Sequence, residues 1–289
     1  MSCGLSVAED RLMSGADRTE RQEGEARKVD DRSAIGAHIV LAAIQKEGEE
    51  ELKRPPSALA WSGLAAGLSM GFSLLGEALL RAHLADAIWR PLLTKTGYCV
   101  GFLIVILGRQ QLFTENTLTV VLPLLDRRNL ATLVGVAKLW TVVLAANLAG
   151  TFVFAWFASS SGVFDDHMLA VLGDVAREAV PTSFGLTLLR AIFAGWLIAL
   201  MVWLLPAAES ARVSIIVILT YLIGLGNFTH IIAGSTKVMF AVLIGATSWS
   251  TYFGGFMLPA LVGNIAGGVA MVAALGHAQV KSGEDHAVK

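Results

Sequence analysis

Charge is scarce in this chain. Asp, Glu, Lys and Arg supply 16% of its 289 residues, hydrophobic residues supply 55%, and mean hydropathy is +0.64. That balance excludes an ordinary water-soluble domain of this size. A formal net charge of −1 and a pI near 6.6 leave no basic footprint for nucleic acid. Cysteine is scarcer still. Cys3 lies in a polar stretch and Cys99 in an apolar one, a spacing that fits neither a disulfide nor a metal-ligand set, so both read as incidental and neither metal nor cofactor is expected. The adjacent carboxylates Asp165 and Asp166 have no companion nucleophile or ligand cluster, so they read as a solvated acidic loop and the chain as no enzyme.

Apolar length is what the chain has in abundance. Crossing the hydrocarbon core takes roughly 20 apolar residues. Such stretches fall at Ser57–Leu80, Gly97–Leu125, Val136–Ser159, Ser183–Pro206, Arg212–Gly245 and Gly254–Gly276. The expected fold class is therefore an all-α integral membrane protein of six spans in two sets of three. Residues 1–56 are polar and lack an apolar signal-peptide core, so they are expected to stay in the cytoplasm. Within them Ala34–Ile44 has apolar residues at helical spacing and is followed by charged Lys46–Arg54, the pattern of an interfacial helix; residues before Ser33 read equally as a solvated tail. The channel domain is expected over 57–276 and a second cytoplasmic tail over 277–289.

Loop charge sets the expected orientation. Arg127, Arg128, Arg212, Lys281 and Lys289 fall on the side of the amino terminus, whereas Ser160–Thr182 carries Asp165, Asp166, Asp174 and Glu178 against Arg177. Both termini are thus expected inside. Arg81, Arg90 and Lys95 run against the rule, in a stretch where Trp89 marks a membrane interface.

Two of the apolar stretches are interrupted. Phe113-Thr114-Glu115-Asn116 breaks the second and Phe228-Thr229-His230-Ile231 breaks the fifth, each after glycine: Gly108 in one, Gly224 and Gly226 in the other. Asn147-Leu148-Ala149-Gly150 follows the first break at nearly the distance that Asn264-Ile265-Ala266-Gly267 follows the second. Duplicated halves with broken membrane helices point to a pore or transporter. Unwound backbone at membrane depth is tolerated where protein or a water-filled cavity satisfies it, so the breaks are expected to line the path. Thr114, Thr229 and His230 are its candidate centre. An intramembrane histidine is a functional candidate by default and a natural protonation switch; the bland alternative is an imidazole satisfied by Thr114 or a helix carbonyl. Glu115 either forms a structural clamp with Arg109 or contacts substrate. Phe113, Phe228, Tyr98 and Phe102 are candidates for apolar constrictions. Gly63, Gly67 and Gly71, Gly97 and Gly101, and Gly263 and Gly267 recur every fourth residue, the mark of close helix contacts. Beside those surfaces, Asn147 is expected to bond an unwound loop, and Asn264 to bond a loop or face the pore.

Leu112-Phe113-Thr114, Phe228-Thr229-His230-Ile231-Ile232-Ala233 and Pro259 to Gly268, in that order within six spans, resemble the formate/nitrite transporter family. The resemblance covers roughly Leu52 to Gly276, and Gly108 to Thr117 looks closest to its inner-membrane branch labelled YfdC. It implies an aquaporin-like protomer of two inverted three-helix repeats, a homopentamer with one pore per protomer, a bacterial inner-membrane location, and passage of a small monovalent weak-acid anion or its protonated form. By motif matching Thr114 is the loop threonine that bonds the central His230, Phe113 a slit aromatic and Asn264 the sixth-span asparagine. Tyr98 and Ile223 fall at the outer constriction. The chain departs from the family pattern at Thr229, where a glutamate is usual, at Ser183 in place of a vestibule lysine, at Ala199 in place of an asparagine, and at Arg109, Gln110 and Gln111. Arg109, Arg190 or Lys237 are candidates for the missing positive charge. A pore for a neutral solute, and a scaffold that keeps the fold with a closed pore, remain the alternatives.

Overall fold

The computed structural model describes residues 36–271. Cys3, most of the expected amino-terminal tail, and the carboxyl-terminal residues including Lys281 and Lys289 lie outside the described residues. Those described are helical, without strands.

The chain enters through α1 (Ala37–Lys53), which buries Val40, Ile44 and Gly48 along one face. A Cβ on Gly48 would stand 2.0 Å from the carbonyl oxygen of Thr119, so this helix lies directly on the polypeptide. Pro55 and Pro56 then start α2 (Pro56–His83), with proline in the first turn, where its missing N–H is no loss. Next come α3 (Arg90–Leu107), the short α4 (Asn116–Thr119) and α5 (Val121–Arg127), and the long α6 (Leu130–Ser160), capped by Asn129, whose side chain accepts from Thr132 N. The acidic loop contains a helix, α7 (Asp166–Arg177). Asp165 accepts from Met168 N at 2.8 Å as its N-cap, and Leu172, Val175 and Ala176 are buried. Ser183 caps α8 (Phe184–Leu204), which is followed by α9 (Arg212–Leu225), α10 (Ile231–Leu243), a π-helical turn at Thr251–Met257 and α11 (Leu258–Met271).

Five helical segments among the described residues are long and apolar enough to cross a membrane: Pro56–His83, Arg90–Leu107, Leu130–Ser160, Phe184–Ala207 and Thr251–Met271. The fifth expected stretch is split into α9 and α10, both shorter. Phe72, Val134, Trp156, Phe157, Phe193 and Ile218 are exposed, an outward apolar surface that water would not tolerate but lipid or neighbouring subunits would.

Glycine sets how closely the helices approach. A Cβ on Gly67 of α2 would stand 2.2 Å from the carbonyl oxygen of Asn147 on α6, and one on Gly195 of α8 would stand 2.3 Å from that of Asn264 on α11. The two helix pairs use the same contact, small residue against asparagine backbone.

Candidate functional site

Each broken helix ends in the same hydrogen-bond pattern. Gly108 closes α3, Arg109 adopts the left-handed conformation at φ 49°, and the N–H groups of Arg109 and Gln110 donate back to Ile106 O and Val105 O. Gly226 closes α9, Asn227 also has φ 49°, and the N–H groups of Asn227 and Phe228 donate to Gly224 O and Ile223 O. Both are Schellman caps, which turn the chain out of a helix while satisfying its last carbonyls.

The unwound backbone beyond each cap is held by one asparagine. Asn147 accepts from Phe113 N at 2.9 Å and donates to Gln111 O at 2.9 Å and Gly63 O at 2.7 Å. Asn264 accepts from Ile231 N at 2.8 Å and donates to Thr229 O at 2.9 Å and Ala191 O at 2.8 Å. Both amides therefore bond the loops. The bonds also fix the register of the repeat. Gln111 stands opposite Thr229, Leu112 opposite His230, and Phe113 opposite Ile231, which corrects the register suggested by the two Phe-Thr dipeptides.

His230 thus projects from a residue clipped on both sides. Its Nδ1 accepts from Ala233 N at 3.2 Å, capping α10, so the ring hydrogen sits on Nε2, which donates to Thr114 Oγ1 at 2.8 Å. A proton on Nδ1 would break the cap. His230, Thr114, Phe113 and Phe102 are buried, and the rings of Phe102 and His230 meet edge to face with centroids 5.0 Å apart.

Two cavities flank this contact and share no lining residue. One, of about 70 Å³, is lined by Tyr98, Ile223, Phe228, Thr229 and His230 together with Lys95, Arg190, Lys237 and Glu178. The other, of about 290 Å³, is lined by Glu115, Gln110, Gln111 and Arg109 with Glu47, Glu51, Arg54 and Arg212. Phe113, Thr114, Phe102 and Asn264 line neither; they form the wall and the clip behind.

A buried ion cluster supports the first cavity. Glu77 of α2 takes a bond from Lys237 of α10 at 2.6 Å and another from Lys95 of α3, and Lys95 also reaches Glu178 at 3.2 Å. Lys237 additionally lies over the Tyr98 ring, 5.2 Å from its centroid. Arg81 pairs with Glu178 and Arg90 with Asp86, so the cations that offended the loop-charge rule are all matched by carboxylates. Of the candidate replacement charges, Lys237 and Arg190 line this cavity and Arg109 lines the other. Arg190 has no ion pair among the described residues, and its carbonyl accepts from Thr229 N at 3.3 Å. Sequence reasoning passed over Glu77, although a lone carboxylate within an apolar span is itself a signal.

The Arg109–Glu115 clamp does not form. With its backbone in the left-handed conformation, Arg109 turns toward α1 and pairs with Glu47 at 3.4 Å. Ser183 and Ala199 supply no charge: Ser183 is an exposed helix cap and Ala199 is buried.

Paired breaks in membrane helices, a central polar contact and cavities on either side define a membrane channel or transporter rather than an enzyme. The formate/nitrite transporter model matches residues 38–278, and the chain belongs to that family. It is 39% identical over 264 residues to the inner membrane protein YfdC of Escherichia coli, covering 91% of this chain and 85% of that one. It is 28% identical to the uncharacterized transporter YrhG of Bacillus subtilis, covering 81% and 89%. A pentameric formate channel with formate bound shares the fold at a TM-score of 0.63 and 18% identity, over 80% of this chain and 96% of that one.

Proposed function

We propose that the chain is an inner-membrane channel or proton-coupled transporter for a small monovalent weak-acid anion of the formate, nitrite or hydrosulfide type. In this reading residues 57–276 form six spans as two inverted three-helix repeats, five copies assemble with one pore each, and both termini are cytoplasmic. The name of the YfdC relative supports the membrane and that of the pentameric formate channel supports assembly and substrate class.

The observation that carries the reading is the pair of clipped breaks with His230 between two cavities. Arg190, which has no ion pair among the described residues and stands beside Thr229, favours an anion in the outer cavity. The way inward is closed by Tyr98, Phe102 and Ile223 and by a neutral imidazole, a setting in which a full charge is costly and a protonated acid is not. His230 Nε2–H offers the acid one donor, exchanging its bond to Thr114 for a bond to the solute. Thr114, Thr229, Phe113, Phe228 and Asn264 shape and hold that point.

One observation favours a second reading. The cavities share no residue and the Thr114–His230 bond lies between them, as a scaffold with a closed pore would require. Flux of formate, nitrite, hydrosulfide and acetate into liposomes holding the purified protein separates the two. Saturable uptake of a weak acid supports transport, and permeability equal to empty liposomes for all four supports the scaffold.

A further inference from the structure

The ions beside the smaller cavity alternate in sign. Arg81 bonds Glu178, Glu178 bonds Lys95, Lys95 bonds Glu77 and Glu77 bonds Lys237. The row therefore ends on a cation, and that cation lines the cavity. Arg190 lines the same cavity and has no ion pair among the described residues. The neighbouring pairs Arg90–Asp86 and Arg177–Asp174 are each balanced. Four cations thus share two carboxylates, a surplus of two positive charges around one cavity.

Lys237 and Lys95 are buried, and Arg190 lies within the apolar helix α8. A guanidinium keeps its charge at any working pH. Charges taken out of water call for counter-charges, and a negative charge between Lys237 and Arg190 would continue the alternation of the row. Glu178 also faces the cavity, but it is committed to Arg81 and Lys95. The cavity, of about 70 Å³, has room for a handful of water-sized bodies, each of which needs about 10–15 Å³. An anion of three or four heavy atoms fits, and a sugar acid does not.

We propose that Lys237 and Arg190 together bind one small monovalent anion in the smaller cavity, and that anions of strong acids occupy this site as blockers. Recognition is by charge and size, so it does not require that the anion can be protonated. The block rests on the function proposed above. Beyond the site stand Phe102 and a neutral imidazole, a setting that a protonated acid crosses and a full charge does not. Formate is in equilibrium with formic acid and so has a form that passes. Nitrate, planar and nearly as small, has no such form in neutral water, and its presence at the site keeps formate out.

Equilibrium dialysis of labelled formate against full-length protein in detergent reads the site without any flux. One saturable formate per chain is expected, displaced by nitrate and not by gluconate, which is too large for the cavity. Arg190→Gln and Lys237→Met are each expected to weaken formate and nitrate binding about tenfold, the loss of one charge-assisted bond. Arg190→Lys is expected to recover part of that loss, because it restores the charge without the planar fork. In liposomes nitrate is expected to slow formate uptake competitively, at the concentrations that displace formate in dialysis, without itself entering. Wild type that binds no formate saturably overturns the site, as do Arg190→Gln and Lys237→Met proteins that bind formate as tightly as wild type. Nitrate that enters as fast as formate, or that leaves formate uptake unchanged, overturns the block. Saturable binding without any formate flux overturns the transport reading and leaves the site in place. Where Lys237→Met does not assemble, Arg190→Gln decides, since Arg190 holds no ion pair among the described residues that its replacement would break.

Discussion

Glu77 and Lys237 come from distant parts of the chain and meet at 2.6 Å in the buried interior, with Lys95 on the other carboxylate oxygen. One carboxylate therefore ties together α2, α3 and α10 beside the smaller cavity. Its removal would leave the Lys237 ammonium without a carboxylate and Lys95 with Glu178 alone, which is the costly way to break a buried pair. Glu77→Ala is expected to lower stability by about 3–5 kcal/mol, read as thermal unfolding in detergent. Adding Lys237→Met to Glu77→Ala is expected to recover part of the loss, because it removes one stranded charge. A Glu77→Ala protein that unfolds like wild type, or a double variant that loses the full sum, would show that the cluster does not hold the helices.

The imidazole of His230 has a fixed hydrogen arrangement, with Nε2–H donating to Thr114 and Nδ1 accepting from Ala233 N. His230→Asn keeps a side-chain donor but shortens its reach, and Thr114→Val removes the acceptor of the Nε2–H bond. Each is expected to change formate flux by about tenfold, the equivalent of about 1.4 kcal/mol at the barrier. Neither is expected to displace the pH profile, since the ring nitrogens are already committed to Thr114 and Ala233. Liposome uptake across a pH series checks both. A displaced midpoint in His230→Asn would show that the histidine itself exchanges a proton during transport.

The two breaks were legible because glycine and polar residues interrupt apolar runs, and the asparagines because each follows its break at nearly the same distance. Their register was not. The repeated Phe-Thr dipeptide is the visible similarity, but the alignment is set by the left-handed residue after each helix, and Arg109 and Asn227 are chemically unlike. The same left-handed turn explains why an Arg109–Glu115 pair looked natural in sequence and is absent in space. Glu77, Lys95 and Lys237 have no common spacing that sequence could reveal; only the packing of three helices brings them together.

Close packing at equivalent places in the two helix pairs predicts equivalent costs. Gly67→Ala and Gly195→Ala each put a methyl group within 2.3 Å of an asparagine carbonyl oxygen. Each is expected to cost about 1–3 kcal/mol by overpacking. Gly185 of α8 has nothing within 4 Å of the position its Cβ would take, so Gly185→Ala should be neutral or stabilise by about 0.4–1 kcal/mol. Thermal unfolding of the three variants side by side is the check; equal midpoints would mean that the helix pairs are looser than their glycines indicate.

The docking of α1 beside the larger cavity should depend on pH through Glu51. Burial pushes its carboxyl above the ordinary value of 4.5; Arg54 draws it back in part and the neighbouring Glu47 raises it again. Well below 4.5, Glu51 is protonated whether α1 is docked or released, and the group imposes no penalty. As pH rises, the released helix ionises first, so docking weakens until pH passes the higher docked value and then levels off. Hydrogen exchange of the amides in Ala37–Lys53 is therefore expected to speed up as pH is raised from about 4 to 7, after correction for the intrinsic pH dependence of exchange. In Glu51→Gln that slope should vanish while protection stays at its low-pH level. Protection that grows with pH, or a slope that survives in Glu51→Gln, would mean that α1 is held chiefly by its other contacts, the close approach of Gly48 to Thr119 and the Glu49–Arg127 pair at 2.7 Å.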